Sequence, residues 1–115
     1  MSTSFYENWT TQLRKGLLEL AILNSLSGSS LYGYDIVRRL REVDGLVMTE
    51  GTIYPILSRL RNEEYVETYI EESPDGPPRK YYRLTSRGRD ELRRMNQHWQ
   101  RLHEAIGSVR TEQKR

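Results

Sequence analysis

Thr49-Glu50-Gly51-Thr52-Ile53-Tyr54-Pro55-Ile56-Leu57-Ser58-Arg59-Leu60-Arg61 is the stretch on which the reading of this chain turns. Ile53, Ile56, Leu57 and Leu60 stand at i, i+3, i+4 and i+7, the spacing of one buried helical stripe, and that turns Gly51, Pro55, Ser58 and Asn62 the opposite way. Thr49 is the expected cap. Pro55, in the second turn, removes one backbone hydrogen bond and bends the axis. Thr52 and Arg59 flank the outward face on one side, Tyr54 and Arg61 on the other. A face that is small and polar at its centre, with donors along both rims, suits close approach to a nucleic-acid duplex, where phosphates and base edges take those donors.

Downstream, residues 66–72 alternate, with Val66, Thr68 and Ile70 on one side and Glu67, Tyr69 and Glu71 on the other, the pattern of a half-buried strand. Pro74-Asp75-Gly76 reads as a type I turn, and Pro77-Pro78 stiffens the loop tip before a second strand over Arg79 to Leu84. Tyr82 shares the parity of Leu84 and is expected in the core, with Tyr81 partly exposed. Arg79 and Lys80 are then candidates for phosphate contacts, which position a protein on a duplex without reading its sequence.

Upstream, residues 10–27 read as a first helix capped by Thr10 or Thr11, with Leu13, Leu17, Leu18, Leu20, Ala21, Ile22, Leu23 and Leu26 covering more than one face. Ser27-Gly28-Ser29-Ser30 breaks it, and Leu31-Tyr32 can form a short strand before Gly33. A second helix is expected from about Tyr34 to Val43, with Ile36, Val37 and Leu40 inward and an end at Asp44-Gly45. The hydroxyls of Tyr32 and Tyr34 suit phosphates, but tyrosines at a helix entry serve equally well as packing. Three helices, a two-stranded wing and a last helix make a mainly α fold with a small β wing, the order of a winged helix-turn-helix.

The last helix begins at Thr85. Leu92, Met95, Trp99, Leu102, Ile106 and Val109 are spaced 3, 4, 3, 4, 3, a heptad seam narrower than the stripe a helix buries on its own domain, so a partner helix and a homodimer are expected. Phe5, Tyr6 and Trp9 form a second apolar cluster that would cover the same seam. The chain thus divides into an N-terminal arm or helix start over 1–9, a winged helix-turn-helix over 10–85, and a dimerisation helix with a frayed basic tail over 86–115. Trp99 at a dimer axis either stacks on its symmetry mate or lines a gap suited to a flat ligand.

With 115 residues and 36% hydrophobic content, one modest core is expected. Cysteine is absent, which excludes disulfides and thiolate metal sites, and there is no secretory leader pattern, so a cytoplasmic protein is expected. No apolar run approaches the roughly 20 residues of a membrane span. The net charge is only +2, but Arg38, Arg39 and Arg41, then Arg79, Lys80 and Arg83, then Arg87, Arg89, Arg93 and Arg94 cluster around the outward-facing helix. Catalysis finds no support. His103-Glu104 opens the zinc-protease pattern, but Gly107 stands where its second histidine belongs, and His98 and His103 diverge around a helix. No metal and no cofactor are expected. The competing class is a winged helix that docks proteins or RNA, which would show exposed large apolar residues or aligned aromatics on that helix face.

Glu50-Gly51-Thr52-Ile53-Tyr54-Pro55 with Leu57, Arg59 and Leu60, the run Gly76-Pro77-Pro78-Arg79-Lys80-Tyr81-Tyr82-Arg83-Leu84-Thr85 with Gly88, and Leu31-Tyr32-Gly33-Tyr34-Asp35-Ile36 occur in order. Together they make the chain resemble the PadR family of bacterial transcriptional regulators, in its short form with a single C-terminal helix, over roughly residues 12–109. The resemblance implies a homodimer joined through the C-terminal helices that binds double-stranded DNA at an inverted-repeat operator and usually represses a nearby gene. In several similar proteins a tryptophan of the C-terminal helix stacks on planar aromatic compounds at the dimer centre. Trp99 occupies the matching place, with Met95 beside it, so a small planar aromatic effector is the ligand class implied. Other members have no known ligand.

Overall fold

A computed structural model describes residues 4–110. Its elements run α1 (Phe5–Ser25), β1 (Leu31–Tyr32), α2 (Gly33–Arg41), α3 (Glu50–Asn62), β2 (Val66–Ser73), β3 (Gly76–Leu84) and α4 (Ser86–Ser108). The strands form one antiparallel sheet in the order β1-β3-β2, with Leu31 opposite Tyr82 and Val66 opposite Leu84. This is a winged helix-turn-helix with a long final helix, mainly α with a small β wing.

The core lies where α1, α2, α3 and the inner face of the sheet meet. Ile22, Leu23, Ile36, Val37, Ile53, Leu57 and Val66 are fully buried there. The α3 stripe packs as its spacing requires, although Ile56 at its margin is only half-buried. Among the described residues no buried side chain is charged and the Tyr82 phenol is the one polar group in the core cluster, so apolar burial dominates there.

The first helix starts earlier than expected, at Phe5 rather than Thr10. Ser4 and Glu7 form a capping box: the Glu7 amide donates to Ser4 Oγ at 3.0 Å and the Ser4 amide donates to Glu7 Oε1 at 3.2 Å. With that cap in place, the hydroxyls of Thr10 and Thr11 donate back to the Glu7 carbonyl as residues of a helix interior. Leu13, expected to pack, is exposed along this extended first part of α1. The end of α3 is closed by Tyr65 N–H on the Leu60 carbonyl and Glu64 N–H on the Arg61 carbonyl, with Glu64 left-handed at φ 67°.

The wing departs from the sequence pattern in two ways. Pro77 and Pro78 are part of β3 rather than of the loop tip. Glu71 pairs with Arg79 and Ser73 with Gly76, so the two prolines together oppose the single Glu72. A bulge of that kind suits residues that lack an N–H for the ladder. Ile70, placed inward by alternation, is 62% exposed because the hairpin outruns the core at this point.

Thr85 joins three elements at the root of α4. Its Oγ1 accepts from the Gly88 amide at 2.9 Å and donates to the Glu64 carbonyl at 2.7 Å, while its own amide donates to the Tyr65 carbonyl. Gly88 makes this possible, since a Cβ there would collide with the Tyr65 carbonyl oxygen. Asn24 and Asn96 exchange side-chain hydrogen bonds at 3.1 and 2.9 Å and so fix α4 along α1. Leu92, expected in the seam, is 5% exposed and belongs to the chain's own core. Beyond Asn96 every residue of α4 is exposed. The radius of gyration of 17.1 Å exceeds the about 13 Å of a compact chain this long.

Candidate nucleic-acid interface

The outward face of α3 carries Gly51, Pro55, Ser58 and Asn62, all exposed, and no large apolar side chain among them. Thr49 stands at the N-cap position, but its hydroxyl meets the Thr52 hydroxyl at 3.2 Å instead of a backbone amide. The start of the helix therefore keeps free N–H donors beside two hydroxyls. Tyr54, on one rim, is 37% exposed. Its ring edge closes on Gly33 at the start of α2, where a Cβ would stand 3.4 Å from Tyr54 Cε1 and 3.2 Å from Tyr82 Cε1. Burial, with the Glu50 carboxylate adding, raises the Tyr54 phenol above its ordinary pKa, so it remains a neutral hydroxyl donor.

The two arginines of the rims are not equivalent. Arg61 is exposed on the wing side, near enough to Tyr82 for its charge to oppose the upward shift that burial imposes on that phenol. Arg59 turns the other way and is ion-paired with Glu19 of α1, the two side chains being 50% and 37% exposed. Spacing on α3 could not reveal this, because the partner lies on another helix.

On the wing, Arg79 and Lys80 are both exposed but diverge. Lys80 pairs with Ile70 on the helix side of the sheet, beyond the end of the core, whereas Arg79 lies on the outer face. There its guanidinium carbon sits 4.8 Å above the ring of Tyr32. Tyr32 is half-buried and Tyr34 is 45% exposed, with ring centroids 6.3 Å apart. Tyr69 was not singled out by sequence reasoning. It stacks on Tyr81 across the strands at 5.4 Å and 13°, a pairing that alternation permitted but that only the register reveals.

A second feature lies between the first and last helices. A groove of about 730 Å³ runs between α1 and α4, lined by Leu13, Gly16, Leu17 and Leu20 on one wall and Met95, Trp99 and Leu102 on the other. It brings Met95 and Trp99 together. Phe5, Tyr6 and Trp9 continue along α1 outside this lining and are exposed, as are Leu102, Ile106 and Val109 on α4. The basic tail expected past Arg110 lies outside the described residues. No described helix is long and apolar enough to cross a membrane.

The comparisons with known proteins agree with this geometry. The model of the Transcriptional regulator PadR-like family matches residues 22–94. A PadR-like transcription factor from Bacteroides fragilis is similar in structure, with a TM-score of 0.73 and 39% identity over 89% of this chain and 98% of that one. A PadR-like transcriptional regulator from Bacillus cereus superposes with a TM-score of 0.77 and 34% identity over 85% of this chain and 95% of its own. An uncharacterized protein of Lysinibacillus sphaericus is 33% identical over 94 residues, 80% of this chain and 86% of that protein. The matched region includes β1, all of α3 and the whole wing, the elements that carry the candidate interface, and the chain belongs to the PadR-like family of transcriptional regulators.

Proposed function

We propose that this regulator binds double-stranded DNA as a homodimer at an inverted repeat, acting in the cytoplasm as a repressor of a nearby gene. The observation that carries the reading is the outer face of α3. Gly51, Pro55 and Ser58 admit a major groove, Thr49, Thr52, Tyr54 and Arg61 surround them with donors, and Arg79 and Lys80 extend the donors along the wing. Tyr32 and Tyr34 border the same surface. Arg59 reaches a phosphate only by exchanging Glu19 for it.

The homodimer is supported by the apolar surface left exposed on α1 and α4. Phe5, Tyr6, Trp9, Leu102, Ile106 and Val109 exceed what an isolated small domain ordinarily leaves to water, and Trp99 and Met95 lie at their junction. A planar aromatic effector fits the groove beside Trp99, and its release of the protein from DNA would follow from unequal affinities for the two states. Selection of bound fragments from a randomised duplex pool tests the reading. Enrichment of an inverted repeat whose half-sites lie about one or two helical turns apart is expected, and a pool that stays random would defeat it.

A further inference from the structure

The outer face of the wing carries three directly opposed pairs: Glu67 with Arg83, Tyr69 with Tyr81, and Glu71 with Arg79. Pairs in register share a face, so each arginine has a carboxylate across the strand. Arg83 takes its own, with Nε 2.7 Å from Glu67 Oε2. Arg79 does not. Among the described residues it has no carboxylate within ion-pairing distance, and its guanidinium lies over Tyr32, which β1 brings alongside Tyr81 on the other edge of β3. The rings of Tyr32, Tyr81 and Tyr69 form one row across the sheet, with centroid separations of 5.9 and 5.4 Å. Arg79 sits over the Tyr32 end of the row and Arg83 over the Tyr69 end, at 4.8 and 4.9 Å.

We propose that Tyr32 is a positioning residue for the wing: its ring draws the Arg79 guanidinium away from Glu71 and holds it, without a carboxylate partner, for a backbone phosphate. The inference rests on the reading of the chain as a duplex binder. Tyr69 and Glu67 both lie on β2, so Arg83 reaches ring and carboxylate together, whereas Tyr32 and Glu71 lie on opposite sides of β3 and Arg79 can take only one. An exposed cross-strand ion pair and an exposed cation–π contact are of similar strength, so the ring is enough to decide between them. The choice matters because a guanidinium bound to Glu71 is neutralised before a phosphate arrives. Stacking on a ring leaves the charge and the N–H edges free. Tyr32 acts here through its face, whereas a phosphate contact by Tyr32 itself would need its hydroxyl.

The test uses the full chain and the duplex recovered from the randomised pool, with affinity read by fluorescence anisotropy. Arg79→Ala should weaken binding about tenfold, the loss of one charge-assisted hydrogen bond. Tyr32→Leu should weaken it by a similar factor and add little in the Arg79→Ala background. Glu71→Gln should recover most of the loss in the Tyr32→Leu protein, because the competing carboxylate is gone. Tyr32→Phe should bind far better than Tyr32→Leu. Since Tyr32 lies in β1, the Glu71→Gln rescue also separates a misplaced arginine from a misfolded wing. The proposal is overturned if Arg79→Ala weakens binding but Tyr32→Leu does not, if Glu71→Gln fails to rescue, or if Tyr32→Phe is as weak as Tyr32→Leu. Arg79→Ala without effect would instead overturn the reading of the wing as a DNA contact, and this inference with it.

Discussion

Glu19 of α1 holds the guanidinium of Arg59 on α3, so one rim of the outward helix face is tied to the core helix that also lines the α1–α4 groove. The pair is half exposed, and such pairs contribute about 0–1 kcal/mol. Arg59→Ala should therefore cost little in thermal stability. Glu19→Gln removes the competitor and should strengthen duplex binding by up to about fivefold, the scale of one exposed ion pair, with the gain absent in an Arg59→Ala background. An unchanged affinity in Glu19→Gln would place Arg59 outside the DNA contact.

Gly88→Ala should be severely destabilising. The Cβ would run into the Tyr65 carbonyl, which already accepts from Thr85, and neither backbone can withdraw without opening the root of α4. A loss of roughly 3 kcal/mol or more in urea unfolding is expected, at the upper end for a single substitution. A loss under about 1 kcal/mol would mean that α4 and the α3–β2 corner are not packed as described.

Glu64→Gly should act in the opposite direction. Glu64 is left-handed at the C-terminal end of α3, where a residue with a Cβ is strained, and the hydrogen bonds around it use only backbone atoms on its side. Relief of that strain, less the greater freedom of glycine in the unfolded chain, should stabilise by about 0.5–1 kcal/mol. Calorimetry should show Tm raised by a few degrees.

Much of the fold was legible because it depends on local periodicity. Ile53, Leu57 and Leu60 are buried and Tyr82 is inside with Tyr81 at the margin, as spacing and parity require, and Leu31-Tyr32 is the short strand that the break before it allowed. The start of α1 was also written locally, in Ser4 and Glu7, but a two-residue cap is easily outweighed by the threonines that follow. Ile70 could not be placed, since alternation says which side a residue faces and not where the core ends. The site was less legible. The pairing of Arg59 with Glu19 and the seating of Arg79 on Tyr32 join residues 40 and 47 positions apart in the numbering. Only the packing of helix on helix and strand on strand brings them together.

Leu57→Ala separates stability from recognition. Leu57 is fully buried beneath the outward face, so its truncation should cost roughly 2–5 kcal/mol and lower apparent binding only as far as it unfolds the protein. Lys80→Ala should show the reverse, weaker binding with an unaltered melting curve. Equal effects of both variants on both measurements would break the division between core and surface.

Trp99 should report on the groove. In a Trp9→Phe protein, a planar aromatic compound that enters between α1 and α4 should quench the remaining indole and shift duplex affinity, and Trp99→Ala should abolish the response while leaving the oligomeric state unchanged. Fluorescence and affinity both indifferent to a broad panel of flat aromatics would leave Trp99 as a packing residue.

The most direct measurement is the binding of the full chain to the selected inverted repeat and to the same duplex with one half-site scrambled, followed by sedimentation across a range of salt concentrations. Two protomers should occupy the intact site, affinity should fall steeply as salt rises, and scrambling a half-site should weaken binding sharply. One protomer per site, or equal affinity for the intact and scrambled duplexes at moderate salt, would contradict a dimeric reader of DNA sequence.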